Sequence, residues 1–205
     1  MDQVAPTTIL LDLARRLFND LSVAEEKLFI ASEKGEQADC ADGPGAKGVI
    51  RGDRLKWLCT DSKAVKQLTH RGISVCEAEI NGQVDLEWAR ISFPIRTRRC
   101  VFKDALVLRN SQFKSLELVE TRIKSLQGSS LVSDQNVAFS EGFTAEKGVD
   151  LVGAKIGGNL ACDGGQFYAD ASTPAIAARG ARIKGSVRNG AKLRGVWDVF
   201  DGDVF

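Results

Sequence analysis

The chain has 205 residues, 43% apolar and 27% charged, with 28 Lys and Arg against 27 Asp and Glu for a net charge of +1. These are the proportions of a soluble globular protein with room for a sizeable core. The near-neutral balance excludes a general electrostatic case for nucleic acid or an anionic membrane as partner. Twenty glycines beside only four prolines suit a chain of repeated tight corners.

The N-terminus, Met1-Asp2-Gln3-Val4, has neither the basic region nor the apolar core of a signal peptide. No apolar run reaches the length of about 18 residues that a membrane span needs. The expectation is a cytoplasmic protein without a membrane span. Residues 1–70 read as an α-helical head. Leu10, Leu13, Ala14, Leu17 and Leu21 recur at helical spacing. Ser22-Val23-Ala24-Glu25 has the pattern of a capping box, and the apolar run through Leu28, Phe29 and Ala31 follows it. A Gly-rich loop spans Asp39 to Gly48, and two short helices follow, from Asp53 to Cys59 and from Ser62 to Leu68. Their apolar face, with Leu55, Trp57 and Leu58, is expected to cover an open end of the next region.

From residue 71 to 205 the rule changes. A small residue, one spacer and a large apolar residue recur as Ala78-x-Ile80, Ala89-x-Ile91, Cys100-x-Phe102, Ser111-x-Phe113 and Thr121-x-Ile123. The pattern returns as Ala154-x-Ile156, Gly165-x-Phe167, Ala181-x-Ile183 and Ala191-x-Leu193, at steps of about 11 residues. Upstream of each stands an alternating apolar pair, as in Ile73-x-Val75, Val84-x-Leu86 and Leu116-x-Leu118. Alternation is the signature of a strand with one buried face. A unit this short cannot bury three apolar side chains alone, so units must stack, like upon like. The expected fold is mainly β: a right-handed parallel β-solenoid of half-coils of about 11 residues. The register weakens over 124–148, where Ser129-x-Leu131 and Val137-Ala138-Phe139 read as degenerate units. A loop from Tyr168 to Ala175, with Pro174 inside, bulges from one corner.

Small-large alternation at steps of roughly five residues resembles the pentapeptide-repeat fold, a four-sided β-solenoid. Gly153-Ala154-Lys155-Ile156-Gly157-Gly158-Asn159-Leu160 and Gly180-Ala181-Arg182-Ile183-Lys184-Gly185-Ser186-Val187 carry the resemblance. The step slightly exceeds two pentads, so the likeness is to a divergent branch, over about two thirds of the chain. It implies a protein of bacterial type. It also implies that solenoid ends can pair, so the apolar C-terminus from Trp197 to Phe205 is read as a possible homodimer contact.

Chemistry is sparse. His70 is the single histidine and sits at the helix-to-solenoid junction, where a turn role is expected. Cys40, Cys59, Cys76, Cys100 and Cys162 form no CxxC pair, which points to reduced thiols rather than zinc. The carboxylates of Glu77, Glu79, Asp85 and Glu87 face outward by alternation. No catalytic residue, metal site or cofactor is assigned.

Two surfaces are singled out. The residue before each small residue, at the corner, is Glu77, Trp88, Arg99, Asn110 and Glu120, then Gly153, Gly164, Gly180 and Gly190. If two units make a coil, Glu77, Arg99 and Glu120 form an outward charge ladder, and Trp88 stands beside Asn110 on the opposite side. Trp88 is then a contact anchor; the plainer expectation packs it beneath the helical head. The second surface is basic: Arg179, Arg182, Lys184, Arg188, Lys192 and Arg194 could align as a stripe that binds an anion, or simply form a solvated surface. The functional expectation is a non-enzymatic scaffold whose partner is another protein. Binding of nucleic acid or another anionic ligand through the basic coils is the alternative.

Overall fold

The computed structural model describes residues 8–169, 174–188 and 190–194. It is a parallel β-solenoid headed by four helices. Helix α1, Ile9–Leu17, begins at Thr8, whose hydroxyl accepts from the Leu11 N–H at 3.3 Å. Helix α2, Val23–Lys34, opens with the expected capping box: the Glu25 N–H donates to Ser22 Oγ at 3.1 Å, and the Ser22 N–H donates to the Glu25 carboxylate at 2.8 Å. Each orphan donor of the first turn that is satisfied in this way is worth roughly 1 kcal/mol.

The sheets begin upstream of residue 71. Strands Gln37–Asp39 and Gly48–Arg51 pair in parallel with Ile73–Cys76 and Ala78–Asn81. The segment from Asp39 to Gly48 therefore links two strands that open the first coil. These strands are too short to display a period of their own. Helices α3, Gly52–Thr60, and α4, Ser62–Val65, follow, and α3 turns over the end of the wall. Leu55 and Cys59 of α3 close an apolar cavity of about 30 Å³ above Ile73, Ile80 and Leu86. Trp57 packs edge-on between Phe18 and Phe29, with ring centroids 5.4 and 5.5 Å away. The Arg54 guanidinium lies 3.8 Å over the Phe18 ring. Helix α3 thus covers the end of the solenoid through Leu55 and Cys59, whereas Trp57, expected on that face, packs within the head.

Each coil then has four strand positions, here called sides 1 to 4. In the first complete coil these are Ile73–Cys76, Ala78–Asn81, Val84–Asp85 and the start of Arg90–Arg98. Arg90–Arg98 and Gln112–Val119 run through the corner from side 4 into side 1 of the next coil. Sides 4 and 1 therefore belong to one ten-stranded sheet, while sides 2 and 3 form sheets of seven and five strands. On side 1, Ile73, Ile95, Leu116, Val137, Leu160 and Val187 stack in register. Read from those numbers, a coil takes 21 to 23 residues over the first four turns, so two of the 11-residue units make one coil. The next coil takes 27, because the expected loop after Tyr168 is inserted between sides 2 and 3; its residues 170–173 lie outside the described residues.

The core follows from the unit. Sides 1 and 3 point their apolar pairs inward, as with Ile73 and Val75 or Leu106 and Leu108, and sides 2 and 4 point in one large residue each, as with Phe102 and Phe113. Such side chains contribute about 1.5–3 kcal/mol each when fully buried. The stretch 124–148 is a coil in full register, with Leu126 over Leu106 and Val137 over Leu116. Its volumes are exchanged rather than lost. Leu131 takes the small position and Ser133 the large one, and Phe143 and Ala145 repeat the exchange on side 2. Gly128 stands where Leu86, Leu108 and Leu151 point inward in other coils; a Cβ there would meet Leu131 Cδ2 at 2.5 Å, so the Leu131 side chain fills that space. Phe139, Phe143 and Phe167 pack together with centroids 5.0 to 6.3 Å apart. The reading of Ser129-x-Leu131 as a small-large unit is thereby shifted by two residues.

Candidate interaction surface

The corners carry the surface. Glu77, Trp88, Arg99, Asn110, Glu120, Ser130 and Glu141 all have left-handed backbones, with φ between 47° and 62°. The matching positions later in the chain, Gly153, Gly164 and Gly180, have φ of 67° to 73°. A left-handed residue turns the chain without breaking the stack, because its N–H still donates to the next coil. Trp88 donates to the Arg109 carbonyl at 3.0 Å, Asn110 to Ser129 at 3.0 Å and Gly153 to Arg179 at 2.8 Å. Left-handed backbone costs an L-residue about 1–2 kcal/mol and glycine almost nothing. For a bulky aromatic residue such a φ is a genuine outlier.

Trp88 is 72% exposed. This corrects the plainer expectation that it packs beneath the head, where Trp57 sits instead. The left-handed corner holds the Trp88 side chain in solvent. Asn110 is exposed at the same corner one coil on, as expected for alternate units that stack. The charge ladder at the opposite corner is present in part. Arg99 and Lys47 both bond the Glu77 carboxylate, Lys47 at 2.5 Å, and together they hold it below the usual range. Glu120 pairs instead with Arg98, at 2.7 Å.

The basic residues do not line up as a stripe. Arg182 points outward from side 4 and Lys184 lies just beyond it, Arg188 is on side 1, and Lys192 and Arg194 are on side 2. All five are exposed. Side 4 gathers further cations that unit-by-unit reading missed. Arg90, Gln112, Val132, Lys155 and Arg182 stack across it in register, and Lys114, Asp134 and Lys184 form a second column. A signal for them exists in the spacer of small-x-large, provided that only every second unit is aligned. An open groove of about 440 Å³ lies over Gly157, between Val132, Asp134, Lys155, Arg182 and Lys184.

The remaining candidates resolve into structural partners. Asp85 pairs with Lys56 at 3.4 Å, Glu87 with Arg109 at 3.2 Å and Glu79 with Lys103 at 2.9 Å, all on the outer surface. His70 is exposed in the turn that leads to side 1. All five cysteines are buried and unbridged; burial pushes the thiols of Cys40, Cys59 and Cys162 up to about 12 and that of Cys100 to about 11. Among the described residues, no group of three or more His, Cys, Asp or Glu could hold a metal ion, and no helix is long and apolar enough to cross a membrane. The candidate dimer contact from Trp197 to Phe205 lies outside the described residues.

The head is latched to the first coil by buried charge. Glu25 is fully buried, and its carboxylate accepts from the Arg51 backbone and guanidinium at 2.9 and 2.6 Å. Burial works to raise its pKa, but the bonds from Arg51 and Ser22 outweigh that and hold it below its ordinary value. Asp20, bonded by Arg51 and Arg54, is lowered as well.

Neither a protein-family model, a curated protein nor a solved structure matches this chain.

Proposed function

We propose that the protein is a non-enzymatic scaffold that binds another protein through the corner carrying Trp88 and Asn110 and the adjoining side 4. The observation that carries this reading is Trp88 itself. A large aromatic side chain is held in solvent on a left-handed backbone, at a position type that glycine fills elsewhere in the same wall. It adds little burial to the fold, and strain retained without a structural return points to use at the surface. Trp is also the residue most enriched among interface anchors. The wall behind it is rigid, hydrogen-bonded from coil to coil, and suited to presenting a fixed contact.

We read the coil as right-handed and pentapeptide-repeat-like, supported by two 11-residue units per four-sided turn. Five buried, unbridged thiols support a cytoplasmic setting. The test compares proteins captured from host lysate by the wild-type chain and by Trp88→Gly, whose corner backbone glycine adopts freely. A protein captured by the first and lost with the second supports the reading. Identical captured sets contradict it.

A further inference from the structure

On sides 1 to 3 the cations of the early coils meet carboxylates of a neighbouring coil. Arg96 pairs with Glu117 at 3.4 Å, Lys103 with Glu79 at 2.9 Å, Arg109 with Glu87 at 3.2 Å and Arg122 with Glu146 at 3.9 Å. Side 4 departs from this. It carries Arg90, Lys114, Lys155, Arg182 and Lys184 against one acid, Asp134, which pairs with Lys114 at 3.7 Å. Among the described residues, Arg90, Lys155, Arg182 and Lys184 have no carboxylate within 4.0 Å. Lys155 and Arg182 are direct register partners on neighbouring strands, about 4.8 Å apart. Like charges so placed repel and destabilise the wall. Among the described residues Arg188 on side 1 and Lys192 and Arg194 on side 2 also lack an ion pair, but side 4 gathers four such cations on one face and departs from the pairing already in an early coil, at Arg90.

We infer that side 4 is a docking face for an acidic polypeptide segment. The inference rests on the scaffold reading and adds the chemistry of the partner. From Arg90 to Arg182 the face crosses four coil steps, about 19 Å, which suits an elongated ligand. The open groove over Gly157 can take carboxylate side chains between Lys155, Arg182 and Lys184, with Val132 against their methylenes. The arrangement favours a polypeptide over nucleic acid. A nucleic-acid strand carries a phosphate about every 3.4 Å along the helix axis and would also lie over the uncharged rungs Gln112 and Val132. It would also meet Asp134 inside the groove. A polypeptide can place carboxylates at the cations and amide or apolar groups at the other rungs.

The test is fluorescence anisotropy of the full chain with two probes: a labelled Glu-rich peptide and a thymidine oligonucleotide of the same charge. The variants are Lys155→Glu/Arg182→Glu and, as a control, Lys66→Glu on the exposed end of α4. The peptide is expected to bind, to weaken with salt and to lose about tenfold or more in affinity with the double reversal, while Lys66→Glu leaves it unchanged. Absent peptide binding, an equal loss with Lys66→Glu, or tighter binding of the oligonucleotide than of the peptide overturns the inference. The two readings fail separately. A protein lost with Trp88→Gly beside a peptide that ignores the double reversal leaves the scaffold reading and removes the acidic partner. A peptide that needs side 4 beside an unchanged captured set does the reverse.

Discussion

The early and the late coils solve the same corner with different residues. Through Glu141 the corner positions ahead of the small residue carry Glu, Trp, Arg, Asn and Ser; from Gly153 onward they carry glycine. The backbone is the same in both regions, since the corner N–H donates to the next coil at Trp88 as at Gly153. Corner geometry therefore belongs to the fold, whereas the residue there is open to other uses. In the early coils those uses are visible: Glu77 and Arg99 join Lys47 in a ladder, and Trp88 and Asn110 stand in solvent. The late coils keep the cheapest corner and place their charge on the flats instead.

The comparison is broken most severely where a left-handed glycine also touches backbone. At Gly72, φ is 70° and a Cβ would meet the Pro94 carbonyl oxygen at 2.2 Å. Gly72→Ala is expected to destabilise by about 3 kcal/mol or more, since backbone must move as well as adopt strain. Denaturant unfolding checks this.

The capped end, which the late coils lack among the described residues, needs separating from the corners. Removing the Glu25 carboxylate leaves Arg51 with the partly exposed Asp20, so Glu25→Ala is expected to lose about 2–3 kcal/mol. The pH dependence has a definite sign. Glu25 lies below its ordinary value of 4.5 in the folded chain, so its contribution is present above that value and fades as pH falls through the folded pKa. Asp20 and Glu77 act in the same sense. The wild-type melting temperature should therefore drop between pH 6 and pH 3, and that of Glu25→Ala should start lower and drop less.

A milder change sharpens the contrast. Gly180 has φ of 67° with nothing within 4 Å of an added Cβ, so Gly180→Ala isolates backbone strain. A loss of about 1 kcal/mol is expected, measured by the same unfolding curves.

Much of the wall was legible because the unit repeats its chemistry. Ala78-x-Ile80 and Ser111-x-Phe113 occupy sides 2 and 4 as their spacing implies, and the alternating pairs occupy sides 1 and 3. The coil at 124–148 was obscured because the core requires total volume, not volume at a fixed position. Leu131 fills the room left by Gly128, which looks in sequence like a lost register. The opening strands were hidden for another reason: Gln37–Asp39 has only Ala38 turned inward. Trp88 was legible as a corner residue but not as an exposed one, because exposure depends on where α3 turns. The basic face was only half legible. Arg182 and Lys184 stand out in a run without acids, whereas Lys155 becomes their neighbour, and Arg90 joins the same face, only through the fold.

The central claim is that the Trp88 corner is dispensable for folding and retained for contact. The direct measurement is the denaturant midpoint of Trp88→Gly against wild type. Relief of left-handed strain, offset by the greater freedom of glycine in the unfolded chain, predicts an equal or higher midpoint, equivalent to up to about 1 kcal/mol of added stability, with an unchanged slope. A midpoint lowered by the equivalent of about 1 kcal/mol of stability or more would mean that Trp88 holds the wall together, and would contradict the account.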